Sequence, residues 1–138
     1  MLSIEELINE AKKAREKAYA RYSGFKVGAV IECKDGKLIY GANIENSSYG
    51  LTMCAERNAI FQAYLLGYRK GDYVQLCIIA DTERITSPCG ACRQVLSELY
   101  NEDAPIYLCN LKGDFLKTNI KELLPFSFNG EDLKKWKK

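Results

Sequence analysis

The chain has 138 residues, of which 47% are hydrophobic and 28% charged, and its formal net charge is +2. This length predicts a single domain, residues 1–138, with a buried core, and the composition excludes a disordered chain and an integral membrane protein. The balanced charge gives no reason to expect a polyanionic partner, and the N-terminal segment is amphipathic rather than typical of an export signal. We therefore expect a cytoplasmic protein that binds neither nucleic acid nor membranes.

Hydrophobic periodicity predicts three main helices and five strands. In chain order they are a helix over 3–20, strands over 27–33 and 38–44, a helix over 53–66, a strand over 74–80, a helix over 88–100, strands over 105–109 and 115–118, and one helical turn over 120–124. This order implies a mixed five-stranded sheet covered by helices. The predicted fold class is therefore α/β, a three-layer α/β/α sandwich.

Several of these boundaries rest on short local signals. Ser3 and Glu6 have the spacing of a capping box at the start of the first helix. Asp35-Gly36 is typical of a tight hairpin turn, so the first two strands should pair in antiparallel orientation. Ser87-Pro88 is typical of an N-cap followed by proline at the first helical position, which predicts that the last long helix begins at Pro88.

Three cysteines and a glutamate carry the chemistry that the sequence suggests. Cys89 and Cys92 are three residues apart, so at the start of a helix their sulfurs share one face and can bind one metal ion, with Cys54 as a third ligand. Because the chain contains no histidine, a zinc ion held by these thiolates would keep an open tetrahedral position, as catalytic zinc sites do. Glu56 lies two residues from Cys54 and could act there as a general base on water.

The cysteines also have two interpretations that involve no metal. Cytosolic cysteines are commonly buried in the core, and Cys-x-x-Cys is also typical of a thioredoxin-like redox pair. The redox interpretation leaves Cys54-Ala55-Glu56 unexplained, and a structural zinc module would need a fourth protein ligand that no residue supplies. A catalytic zinc site is therefore favoured. The remaining cysteines fall in predicted strands and should be buried and inert, namely Cys33, Cys77 and Cys109.

Two motifs, Cys54-Ala55-Glu56 and Pro88-Cys89-Gly90-Ala91-Cys92, closely resemble those of the zinc-dependent cytidine deaminases. The similarity continues through residues 21–29, 43–49 and 122–125 and so covers nearly the whole chain. It implies the small homotetrameric type with three cysteine ligands and one Zn²⁺ per chain. The implied reaction is the hydrolytic deamination of cytidine and 2′-deoxycytidine to uridine and 2′-deoxyuridine plus ammonia, which serves pyrimidine salvage.

The resemblance also implies roles for residues around the metal. Glu56 would take a proton from the zinc-activated water, deliver it to N3 of the cytosine ring and later help to protonate the leaving ammonia. Three thiolates leave the zinc site with a net negative charge, which weakens the metal as a Lewis acid. Arg57 lies three residues from Cys54 and would offset this by hydrogen-bonding a ligand sulfur. The alternative for Arg57 is a solvated surface charge.

Substrate contacts follow from the same resemblance. Phe25 would pack against the pyrimidine, Asn43 and Glu45 would hydrogen-bond the ribose 3′-hydroxyl, and Ala55 would offer its backbone to the base. From the residues alone, Phe25 is more typical of a core and Asn43 of a turn. Three residues match positions that family members contribute to a neighbouring subunit's pocket, which implies active sites at the interfaces of a homotetramer: Ser47, Tyr49 and Phe128.

Two other deaminase activities remain as alternatives. A cytosine nucleoside antibiotic such as blasticidin S would use the same metal site, although Phe25 with the Asn43 and Glu45 pair favours a plain ribose. Editing of cytosine in RNA or DNA needs a basic groove with stacking aromatics, and the small size and balanced charge disfavour it. The basic segment 134–138 is most simply a solvated tail.

Overall fold

The computed structural model describes residues 1–134 of the chain. In chain order its elements are α1 (Ile4–Arg15), β1 (Val27–Cys33), β2 (Leu38–Ala42), a 3₁₀ turn (Tyr49–Leu51), α2 (Ala55–Leu65), β3 (Tyr73–Ala80), α3 (Gly90–Leu99), β4 (Ile106–Asn110), β5 (Phe115–Thr118), α4 (Ile120–Leu123) and α5 (Glu131–Lys134). Every predicted helix and strand is present, and the short turn at 49–51 and α5 were not predicted.

The five strands form one mixed sheet in the order β2-β1-β3-β4-β5. β3 and β4 are parallel and are joined through α3, whereas the other neighbouring strands are antiparallel. One face of the sheet is covered by α1, and the opposite face is covered by α2 and α3. The predicted three-layer α/β/α fold is therefore confirmed.

Two glycines let helices lie directly against the strands. A Cβ atom at Gly28 in β1 would lie 2.5 Å from the carbonyl oxygen of Ala11 in α1. A Cβ atom at Gly41 in β2 would lie 2.3 Å from the carbonyl oxygen of Ala55, the first residue of α2. Such distances are shorter than any tolerable contact, so only glycine fits at either position. Gly41 thereby fixes how closely the start of α2 approaches the sheet.

The first helix is shorter than predicted. It ends at Arg15 rather than near residue 20, because the following chain pairs with the segment after β2. The Tyr19 amide donates to the Asn43 carbonyl at 2.9 Å, and the Glu45 amide donates to the Tyr19 carbonyl at 2.8 Å. The same pairing ends β2 at Ala42, two residues before the predicted boundary.

The predicted start of α3 at Ser87-Pro88 is wrong. The N-cap is Cys89, whose backbone is extended with φ −67° and ψ 166°, and the helix begins at Gly90. The preceding proline is held outside the helix because Arg93 Nε donates to the Pro88 carbonyl at 2.8 Å. The start of α2 was likewise placed two residues too early, since its N-cap is Cys54. Two of the proposed ligands therefore occupy equivalent positions, each capping the helix that follows it.

The remaining cysteines are buried as predicted. Cys33, Cys77 and Cys109 are 1%, 0% and 2% exposed. The sulfurs of Cys77 and Cys109 lie 3.4 Å apart between β3 and β4 as free thiols. Among the described residues, the helices are too short or too polar to cross a bilayer. Apart from the last residue of α5, the basic segment 134–138 lies outside the described residues.

Candidate active site

The three proposed ligand sulfurs converge between the starts of α2 and α3. The Sγ atoms of Cys54, Cys89 and Cys92 all lie within 4.8 Å of one another. Those of Cys54 and Cys89 are 4.0 Å apart, and those of Cys89 and Cys92 are 3.5 Å apart. A tetrahedral zinc ion with Zn–S bonds of about 2.3 Å separates its sulfurs by about 3.8 Å. The donor set and its spacing therefore fit zinc.

The surroundings of Cys54 favour its thiolate. Its sulfur accepts a hydrogen bond from Arg57 Nη2 at 3.3 Å. Hydrogen bonding from Cys92 and then from Arg57 outweighs burial and lowers the pKa of Cys54 to about 5. Both Cys54 and Cys89 also cap helices, where unpaired backbone amides and the helix dipole favour negative charge. At neutral pH the cluster therefore presents a thiolate that can bind a cation.

Glu56 lies in the first turn of α2, beside the cysteine cluster. Its side chain is almost completely buried, with 4% of the residue exposed, and it lines a cavity beside the cluster. Burial raises the pKa of the Glu56 carboxyl above its ordinary value, since the charged form loses its hydration. A carboxyl with a raised pKa can both accept and return a proton near neutral pH.

A cavity of about 260 Å³ opens directly above these groups. Its volume is close to the lower end of the range of small-molecule sites, about 300–1,000 Å³. Seven residues predicted for this site line it: Phe25, Asn43, Glu45, Cys54, Ala55, Glu56 and Cys89. Tyr49, which was predicted to contribute to a neighbouring subunit's pocket, lines the cavity of its own protomer. The elements that bring them together are the loop before β1, the segment after β2, and the starts of α2 and α3.

Asn43 connects the segment after β2 to the loop before β1. Its Oδ1 accepts from the Val27 amide at 2.8 Å, and its Nδ2 donates to the Phe25 carbonyl at 2.8 Å. An asparagine amide carries two N–H donors and two acceptor lone pairs. One donor and one lone pair of Asn43 therefore remain for a ligand in the cavity.

Glu45 is held by the same loop from the other side. Its Oε1 accepts from the Tyr22 amide at 2.9 Å and from the Ser23 amide at 3.1 Å. Its Oε2 accepts a very short hydrogen bond from Ser23 Oγ. The Ser23 hydroxyl, followed by the backbone amides, lowers the pKa of Glu45. The cavity therefore contains an oriented, ionised carboxylate close to an exposed aromatic ring, that of Phe25.

Four of the predicted site residues do not line this cavity. Cys92 is the third member of the sulfur cluster, and Arg57 donates to the Cys54 sulfur. Ser47 is exposed to solvent. Phe128 is 57% exposed, and its carbonyl accepts from Gln94 Nε2 on α3 at 2.9 Å. Within a single protomer, Ser47 and Phe128 are therefore not part of the cavity.

The cavity also contains polar residues that sequence reasoning missed. Ser23, Thr52, Thr86 and Ser87 all line it. In the sequence, Ser23 falls within the segment 21–29 of the family resemblance without a role of its own, and Ser87 is predicted only as a helix cap. Their local sequence signals favour backbone roles, and only the tertiary arrangement brings their side chains to the cavity. No feature of the sequence alone identifies them.

Comparison with known proteins gives a consistent result. The profile of the cytidine and deoxycytidylate deaminase zinc-binding region matches residues 1–108. A cytidine deaminase from Halalkalibacterium halodurans is 55% identical over 92% of this chain and 95% of its own length. Another, from Sporosarcina psychrophila, is 52% identical over 96% of both chains. The crystal structure of a cytidine deaminase from Burkholderia pseudomallei superposes with a TM-score of 0.89 at 47% identity, covering 92% of this chain and all of that one.

A deaminase with a different substrate is more distant. A blasticidin-S deaminase from Bacillus cereus is 33% identical over 83% of this chain and 86% of its own length. Its identity to this chain is well below the 55% and 52% of the two relatives above. The alternative activity on a nucleoside antibiotic is therefore less well supported.

Proposed function

The chain belongs to the cytidine and deoxycytidylate deaminase family, and we propose that it hydrolyses cytidine and 2′-deoxycytidine to uridine and 2′-deoxyuridine with release of ammonia. One observation carries this proposal: a buried carboxyl, Glu56, lies beside a cluster of three thiols at a cavity sized for a small molecule. A general base next to an open metal position is the arrangement that hydrolytic deamination requires.

Cys54, Cys89 and Cys92 would hold one zinc ion per chain. The sulfur spacing and the thiolate-favouring surroundings of Cys54 support this ligand set. When bound, zinc acts as a Lewis acid that makes a water molecule nucleophilic at neutral pH. Arg57, which donates to Cys54, would offset part of the negative charge of the thiolates and so help the metal to act as a Lewis acid.

Glu56 moves the protons. It accepts a proton from the attacking water and delivers it to N3 of the pyrimidine as the oxygen adds at C4. It then helps to transfer the remaining proton of that water, now on the C4 hydroxyl, to the amino group. The C4–N bond breaks, ammonia leaves and the carbonyl of uridine forms. The burial of Glu56 supports this role, because its raised pKa brings the carboxyl closer to the working pH.

The walls of the cavity would orient the nucleoside. The exposed ring of Phe25 offers an apolar surface for the pyrimidine, while Asn43 and Glu45 can share the ribose 3′-hydroxyl. The backbone of Ala55, whose small side chain permits close approach, would contact the base. An already oriented amide and carboxylate lose little entropy on binding, which favours recognition of a free nucleoside.

The proposal extends to the biological setting and to the assembly of the protein. The chain would form a single domain over residues 1–138 and act in pyrimidine salvage in the cytoplasm. Its six free thiols accord with the cytoplasm, since disulfides are rare in reducing compartments. A homotetramer would bring Ser47, Tyr49 and Phe128 to a neighbouring cavity. The exposed rings of Tyr49 and Phe128 support such an interface, because burying them would be favourable.

The decisive experiment follows the ultraviolet absorbance of cytidine with purified, zinc-assayed protein. The wild type should convert cytidine to uridine, and Glu56→Ala should retain zinc while losing on the order of 10²-fold or more in rate. Glu98→Gln, which changes an exposed carboxylate on α3, is the matched control and should remain active. Near wild-type turnover by Glu56→Ala would refute the assignment of the base. A zinc-loaded wild type that deaminates blasticidin S but not cytidine would refute the proposed substrate.

A further inference from the structure

The Ser23 hydroxyl forms hydrogen bonds with two residues that are proposed to contact the substrate. Its Oγ donates to Glu45 Oε2 and accepts from the Phe25 amide at 3.0 Å. We propose that Ser23 is a positioning residue that fixes the Glu45 carboxylate for the sugar and the Phe25 backbone for the base. This inference rests on the proposed function, because it concerns the same nucleoside site.

The contacts of Glu45 show why one hydroxyl is decisive. Both backbone donors, from Tyr22 and Ser23, reach Oε1. Among the described residues, Oε2 has no donor other than Ser23 Oγ. Without that hydroxyl, the carboxylate would be held at one oxygen only and could rotate away from the sugar. The bond to Ser23 therefore determines which lone pairs face the cavity.

The same hydroxyl acts on the aromatic ring through the chain. Gly24 adopts a positive φ of 72°, so the backbone reverses between Ser23 and Phe25. The Ser23 hydroxyl closes this turn by accepting the Phe25 amide, and Asn43 holds the carbonyl of Phe25 from the other side. A side-chain hydroxyl that closes a turn two residues ahead is a known local motif. Here the turn carries an aromatic ring into a cavity.

Removal of the Ser23 hydroxyl should change KM more than kcat. Ser23→Ala should raise KM for cytidine on the order of tenfold, the scale of one hydrogen bond to a charged group, while kcat stays within about threefold. Ser23→Thr keeps a hydroxyl and should restore most of the affinity. Ser97→Ala removes a hydroxyl that only bonds the Gln94 carbonyl within α3, and it should leave both constants unchanged.

A double-mutant cycle separates positioning from general destabilisation. In the Glu45→Gln background, Ser23→Ala should raise KM by a smaller factor than it does in the wild type, since only the contact with the Phe25 amide remains to be lost. Likewise, Ser23→Ala should raise KM by a smaller factor for 3′-deoxycytidine than for cytidine, since only the effect through Phe25 remains. Zinc content and Tm of every variant are measured in parallel.

The outcomes are distinct. Additive effects of Ser23→Ala and Glu45→Gln, or an unchanged KM in Ser23→Ala, would overturn the role of Ser23 and leave the proposed deaminase function standing. A loss of zinc or of folding in Ser23→Ala that Ser23→Thr does not restore would also overturn it, since the residue would then be merely structural. A wild type inactive on cytidine would overturn both proposals.

Discussion

Arg57 Nη2 donates a hydrogen bond to the sulfur of Cys54 across 3.3 Å, one helical turn along α2. The thiolate and the guanidinium stabilise each other's charged forms, which raises the pKa of Arg57 and helps to lower that of Cys54. A site built only of thiolates accumulates negative charge when it binds zinc, and a fixed cation beside one sulfur removes part of it. The affinity of the site for metal should therefore depend on a residue that does not bind the metal.

Replacing this arginine should weaken zinc binding. Arg57→Gln removes the charge and should lower zinc affinity about 10- to 100-fold, the range seen when groups that support metal ligands are lost. Competition with a chromogenic chelator measures it. Arg69→Gln, whose guanidinium contacts the carbonyls of Tyr64 and Tyr68 away from the site, is the control. Equal affinities of Arg57→Gln and the wild type would contradict the proposed role.

Removal of zinc should lower thermal stability. Metal that binds only the folded chain stabilises it by about 4 kcal/mol at a thousandfold excess over Kd, which corresponds to a Tm shift on the order of 10 °C for a domain of this size. A strong chelator should abolish the shift, which is read by scanning fluorimetry. Glu56→Ala should retain the shift, and Cys89→Ala should lack it. A chelator-insensitive wild type would argue against a bound metal.

The two close-contact glycines offer a matched pair of substitutions. Gly41→Ala and Gly28→Ala each force a helix away from the sheet and should each cost about 1–3 kcal/mol in unfolding free energy. Gly41→Ala should also lose zinc and activity, because it displaces the start of α2 with Cys54 and Glu56. Gly28→Ala, which acts on α1 across the sheet, should retain bound zinc. Denaturant unfolding and zinc analysis distinguish the two, and equal zinc loss would disprove the distinction.

Burial of Glu56 should make the folding stability of the metal-free protein fall as the pH rises. The pKa of this carboxyl is raised in the folded state. Its contribution to folding stability is therefore fully present below the pKa of the unfolded chain, about 4.3, and is lost as the pH rises through the higher pKa of the folded state. At neutral pH the burial of this ionisable group therefore lowers the stability of the metal-free protein. Glu56→Gln should therefore raise the Tm of chelator-treated protein by a few degrees at pH 7.5 and change it little at pH 4. An equal increase at both pH values would contradict this.

The main elements could be predicted from sequence because each has a strong local cause. The apolar periodicity of α1 and the Asp35-Gly36 turn depend on neighbouring residues alone. The clustering of Cys54, Cys89 and Cys92 could be predicted because their short motifs place them at the starts of two helices. Helix boundaries were less accurate, since Tyr19 leaves the helix to pair with a distant segment, and Pro88 is held outside α3 by Arg93.

The roles of Ser23 and Gly41 could not be read from the sequence for the same reason. Ser23 meets Glu45 across 22 positions of chain, and Gly41 meets the start of α2 across 14. Serine and glycine in a turn or strand are common and carry no signal of such contacts. Only the folded arrangement shows that one orients a carboxylate and the other admits a helix.

The glycines also constrain how this protein can vary in evolution. Positions 28 and 41 require glycine because they have no space for a side chain, and even one methyl group would collide with helix backbone. Gly36, by contrast, has a positive φ of 91° and open surroundings, so asparagine or aspartate could replace it at modest cost. Homologous sequences should therefore tolerate substitution at position 36 and keep glycine at positions 28 and 41. A lineage that lost Gly41 would have to move the start of α2, and with it Cys54 and Glu56.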